Sequence, residues 1–190
     1  MPQQNNAQGG ILRILRQAMS FKRLQRDERG SVAVEFALLT VPFFAILFFI
    51  IENALVLWVR ESLATSVVDT GRLIRTGQVQ TANMGKDAFR SRVCQNMHIM
   101  STYCETNIRV DVREFTSFAD VTFQPPFDDD GNFLGTDATQ YQPGQRQSVI
   151  IMSLFLRWSP ALPILSSYSN TPDGDILMSA STVFRNEPFK

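Results

Sequence analysis

The chain has 190 residues, with 18 basic and 18 acidic side chains, one histidine and two cysteines. That length suits one modest domain, and an apolar share of 44% with 15 phenylalanines excludes a disordered chain. A formal net charge of zero supplies no basic footprint, so no nucleic-acid partner is expected.

The average conceals a division. Residues 1–30 carry six basic and two acidic side chains, and the remainder carries 12 and 16. Between them lies the most apolar run of the chain. No charged side chain occurs from Phe36 to Ile51, and after Glu52 the run resumes from Asn53 to Val59 before Arg60 ends it. Phe36 to Val59 is about 36 Å of helix at 1.5 Å per residue, enough for a bilayer core of about 30 Å with some tilt. Phe43, Phe44, Phe48 and Phe49 cover much of the circumference, which a soluble helix rarely tolerates. Pro42 removes one backbone donor near the start and is a candidate bend.

The flanks orient the span. Arg13, Arg16, Lys22, Arg23, Arg26 and Arg29 precede it against only Asp27 and Glu28, whereas on the far side Arg60 is followed at once by Glu61. The positive-inside rule therefore puts the N-terminus in the cytoplasm and residues from about 60 onward outside. A cleaved secretory signal fits less well, because its apolar core is roughly 7–15 residues and a small-x-small site follows it. Here bulky Leu57-Trp58-Val59 follows.

Glu35 opens the apolar run, where a lone carboxylate is costly in hydrocarbon. Two accounts stand: it rests at the cytoplasmic interface and complements the helix dipole, or it meets a cationic partner within an assembly. The segment Arg26-Asp27-Glu28-Arg29-Gly30-Ser31-Val32-Ala33-Val34-Glu35-Phe36-Ala37-Leu38 resembles the start of TadE-like proteins of the tight-adherence (Flp) pilus machinery, within the wider group of type IV prepilin-like proteins. The resemblance implies cleavage by a prepilin peptidase after Gly30, a new N-terminus at Ser31, and an assembly role for Glu35, Phe36 and the helix behind them. Gly30 has no side chain to obstruct a protease, and Ser31 is suited to cap the helix starting there. Cleavage would create an ammonium at Ser31, for which Glu35 of a neighbouring subunit is the implied partner; such a buried pair sets register more than it stabilises. Glu52 lies too far from Glu35 to share a site. It either reaches the headgroups or contacts a partner helix in the membrane.

Beyond Arg60, Leu55, Val59, Leu63 and Val67 recur at spacing four, with Ile74 on roughly the same face. One helix over about 32–75 follows, although Gly71 and Gly77 weaken its last turns. A short second helix is expected over 84–93, with Met84, Ala88 and Phe89 inward. Cys94 and Cys104, placed outside the cytoplasm, favour a disulfide. A redox pair is usually spaced more closely, and a zinc site would need ligands beyond the two thiols and His98.

Three segments then alternate as strands: Ile108–Val112, Val149–Trp158, apolar on both faces and so central, and Ile176–Phe184. Loops rich in Pro, Gly, Asp and Asn join them, which favours antiparallel pairing. The longest, about 117–147, contains Asp128-Asp129-Asp130-Gly131; a solvated turn is the default and calcium the alternative, without EF-hand spacing. The ending Phe184-Arg185-Asn186-Glu187-Pro188-Phe189 and the segment Arg72-Leu73-Ile74-Arg75-Thr76-Gly77 also resemble TadE-like chains.

No nucleophile elbow, phosphate-binding loop or dinucleotide fingerprint occurs, so no enzyme, cofactor or metal is expected. The expected fold is α+β: a long N-terminal transmembrane helix that continues into a stalk and packs against a small antiparallel sheet, as in pseudopilins. The expected divisions are a basic cytoplasmic leader at 1–30, a transmembrane helix at 31–59, a stalk helix at 60–77 and a periplasmic domain at 78–190. The resemblance implies a minor prepilin-like subunit in the bacterial inner membrane. Its implied partners are the prepilin peptidase, other tight-adherence pilins and pseudopilins, the inner-membrane assembly platform and the lipid bilayer. An uncleaved, membrane-tethered accessory protein is the alternative.

Overall fold

The computed structural model describes residues 30–128, 132–133, 135, 138–162 and 168–189; the basic leader lies outside them. Two compact units divide the chain, residues 1–50 and 51–190. Helix α1 runs over Ser31–Arg75 and includes Pro42. In the first unit its large apolar side chains from Val32 to Ile50 are exposed, Phe49 alone being half-buried. This is the one helix among the described residues long and apolar enough to cross a membrane.

In the second unit the remainder of α1 is followed by the short helix α2 (Gln78–Thr81), α3 (Lys86–Asn96), a 3-10 turn at His98–Met100 and α4 (Ser101–Asn107). Strands β1 (Ile108–Phe115), β2 (Val149–Trp158) and β3 (Ile176–Arg185) form one antiparallel sheet in the order β1-β2-β3. The α+β architecture read from the sequence is present, with β2 central as its two apolar faces require. Register sets Val110 opposite Leu154 and Leu154 opposite Ala180. Val59, Leu63, Val67 and Ile74 of α1 share a core with Val110, Val112, Met152 and Leu154. Burying a side chain such as Leu63 contributes about 2 kcal/mol.

Two details differ from the sequence pattern. Leu55, placed on the inward stripe, is exposed, and Glu52, Val56 and Val59 lead into the core instead. A row at spacing four drifts about 40° per step around a 3.6-residue helix, so a stripe centred on Leu63 has rotated off by Leu55. Likewise Ala88 is exposed, and α3 buries Phe89, Val93 and Cys94. Helix α4 has no strong sequence signal, because Ser101, Thr102, Thr106 and Asn107 are poor helix formers. Tertiary bonds hold it: the Tyr103 hydroxyl donates to the Arg157 carbonyl at 2.9 Å, and Cys104 is disulfide-bonded to Cys94.

Gly71 stays within α1 because the helix approaches β3 closely there; a Cβ would stand 3.1 Å from Thr182 Cγ2 and 3.2 Å from Phe184 Cε1. Gly77 ends the helical run at φ +79°, where a Cβ would fall 2.2 Å from the Phe189 ring. The Glu187 amide donates to the Arg75 carbonyl at 2.8 Å, and the Arg75 and Glu187 side chains pair at 3.3 Å. Asn186 donates through its side-chain amide to the Pro143 and Gln145 carbonyls. Residues 72–77 and 184–189 are thus packed on each other.

Candidate processing and assembly segment

Gly30 precedes α1 in a 3-10 turn, and a Cβ there would meet nothing within 4 Å. It is exposed. The helix begins at Ser31, which makes Gly30 the residue before the first helical position. Ser31 therefore does not occupy the capping position assigned from sequence. Its hydroxyl donates to Glu35 Oε1 at 3.2 Å, one turn along. Gly30, Ser31 and Glu35 lie in one exposed turn, and Phe36 is exposed beside them. Behind them Ala33, Ala37 and Val41 line a shallow apolar groove with Val34, Leu38 and Pro42. The Thr40 hydroxyl donates to the Phe36 carbonyl at 2.6 Å.

Glu52 is different. It is only 6% exposed, and both carboxylate oxygens are used: Oε1 accepts from the Ala161 amide at 2.5 Å and Oε2 from the Leu162 amide at 3.0 Å. The sequence offered headgroups or a partner helix for Glu52, and missed that the β2–β3 loop of the same chain supplies two donors. The only signal was an uncharged stretch, Trp158 to Pro172, of the kind that can lie against an apolar helix.

The disulfide inferred from compartment joins the C-terminal part of α3 to α4, between residues that are fully buried. His98 between them is exposed. Among the described residues no group of three or more His, Cys, Asp or Glu side chains converges. In the acidic loop, Asp129 to Gly131 lie outside the described residues. Asp128 Oδ1 accepts from the Asn132 amide at 2.7 Å.

The sheet face turned away from α1 carries paired charges. Asp111 receives Arg113 at 2.7 Å and the Gln140 amide at 2.8 Å, while Arg157 pairs with Asp173 at 2.7 Å and with Asp175. The Gln140 bond and the Arg157 pairs hold the long loops to the strands. Burial pushes the Arg109 guanidinium below its ordinary pKa, reinforced by the nearby positive charges of Arg90 and Arg157. Burial also raises the Tyr141 phenol to about 12; its hydroxyl donates to the Met84 carbonyl at 3.1 Å.

The family model of TadE-like proteins matches residues 30–72. That segment is TadE-like. The match begins at Gly30 and covers all but the last turn of α1, so over that stretch it bears out the resemblance to TadE-like proteins read from the sequence. No curated protein and no solved structure matches the chain at a significant level.

Proposed function

We propose that the chain is a minor prepilin-like subunit for assembly of tight-adherence (Flp) pili. It is held in the bacterial inner membrane by residues 31–59, with the leader cytoplasmic and the domain periplasmic. It works without catalysing a reaction: α1 packs against other tight-adherence pilins, pseudopilins or the assembly platform, and the outer domain selects partners. The observation that carries this is the coincidence at Gly30. The TadE-like match starts there, the helix starts one residue later, and Glu35 lies one turn beyond Ser31.

In this reading the prepilin peptidase cuts the Gly30–Ser31 bond and removes the leader with its six basic side chains. The new ammonium of Ser31 then competes with its own hydroxyl for Glu35, or pairs with Glu35 of a neighbouring subunit. Phe36 and the groove of Ala33, Ala37 and Val41 give that neighbour a close approach.

N-terminal sequencing of the protein purified from membranes tests the proposal. Ser31 as first residue supports it, whereas an unprocessed N-terminus at Met1 or Pro2 supports the tethered accessory protein instead. Gly30→Phe blocks processing and leaves membrane insertion intact. Normal accumulation of the processed species in that variant would refute the assigned site.

A further inference from the structure

Glu52 is the one charged residue between Phe36 and Val59, and it is the first buried residue of α1. The helix from Ser31 to Ile51 measures about 30 Å at 1.5 Å per residue, close to the thickness of a hydrocarbon core. A carboxylate at that depth would ordinarily draw water and headgroups to itself. Here two backbone amides of the β2–β3 loop occupy it and shield it almost completely.

The loop that does this has an unusual composition. No charged residue occurs from Trp158 to Pro172, and Pro160-Ala161-Leu162-Pro163-Ile164-Leu165 is wholly apolar. Ala161 is exposed and Leu162 half-buried. On α1 itself Leu55, Leu57 and Trp58 are exposed, at 41%, 65% and 41%. Those residues continue the apolar surface of the span past Glu52, on the helix that also receives the loop.

We propose that Glu52 is a latch that seats Ala161 and Leu162, at the start of the β2–β3 loop, on the outer surface of the bilayer. Leu57, Trp58, Ala161 and Leu162 then form an interfacial contact with lipid. The proposal rests on the membrane-anchored reading of α1. Lipid is the occupant because Leu55, Leu57 and Trp58 follow the apolar run directly on the same helix and are exposed. The two amides also shield the one charge within the apolar run from acyl chains. Trp58 supplies the amphipathic ring favoured at headgroup level. Two amides donated to one carboxylate are charge-assisted bonds, stronger than neutral ones and needing no cationic side chain at the membrane surface.

The test uses the full chain, its disulfide intact, reconstituted into phosphatidylcholine–phosphatidylglycerol vesicles. An environment-sensitive fluorophore is attached at Ala161→Cys, and in a parallel sample at Leu47→Cys. Expected are blue-shifted emission at 161, quenched by lipid spin-labelled near the headgroup, and emission at 47 quenched by lipid spin-labelled deep in the chain. Glu52→Ala should return the 161 probe to water-like emission. Leu162→Asp should do so as well while keeping the amide that Glu52 accepts from, so the outcome does not depend on Glu52→Ala folding. Water-like emission at 161 with deep quenching at 47 would overturn the loop contact alone, and leave the loop to a protein partner or to solvent. Water-like emission at both sites would overturn the anchored reading together with the contact. Unchanged quenching at 161 in a folded Glu52→Ala chain would overturn the latch.

Discussion

Between Val32 and Ile50 nearly every large side chain of α1 is exposed, whereas from Val59 to Ile74 the same helix inserts four apolar residues into a closed core. The local conformation is the same in both stretches. What differs is what surrounds them, and that difference is already written in the side chains. The first stretch is apolar all round, so no single face can be buried and the whole cylinder needs an apolar medium. The second interleaves Arg60, Glu61, Thr65, Asp69 and Arg72 with its apolar stripe, so one face meets the sheet and the other meets water. One helix thus carries both side-chain patterns without changing its backbone geometry.

The contrast can be broken most sharply by charge. Replacing Phe44 and Phe48 with Lys should cost about 5 kcal/mol or more of insertion free energy. The doubly substituted chain should leave the membrane fraction while its near-ultraviolet circular dichroism is retained. If it remains in the membrane, the first stretch is not the span. The converse substitution, Leu63→Ala, should lower unfolding stability by about 3 kcal/mol in denaturant titration and leave membrane partition unchanged.

Cys94→Ala with Cys104→Ala should cost about 3 kcal/mol, since the closed loop is short. It should also remove the mobility difference between reduced and oxidised samples. An unchanged denaturation midpoint would mean that α4 is held by the sheet alone. Gly77→Val should destabilise by about 2 kcal/mol, because a β-branched residue is strained at positive φ and displaces the Phe189 ring. Much of that loss should be absent in a chain that already carries Phe189→Ala, which isolates the packed pair. The smallest effect concerns Tyr141. Its phenol keeps its proton to about pH 12 in the fold, whereas an unfolded tyrosine loses it near 10. Stability contributed by this neutral group is present below pH 10 and falls as pH rises from 10 toward 12. Ultraviolet titration should show one late phenol, and Tyr141→Phe should remove it.

Most of the architecture was legible before any coordinates. Period-two alternation located β1 and, less cleanly, β3, because a shift of one residue would expose the buried face. The double-sided apolar character of β2 identified the centre of the sheet. The apolar run and the TadE-like segment from Gly30 could be read because both are continuous in the chain. Helix α4 was not legible, since its support comes from Cys94 and from the Arg157 carbonyl rather than from propensity.

What the amino-acid order determined by itself was therefore everything that depends on neighbours in the chain: the apolar length, its flanking charge, the strand periods and the TadE-like start. Only the tertiary structure decided the partners of Glu52 and the union of residues 72–77 with 184–189. These are contacts between segments a hundred residues apart, made through backbone amides and a glycine's missing side chain. Every non-proline residue carries the same amide, so nothing in the identity of Ala161 or Leu162 announces which carboxylate it will meet.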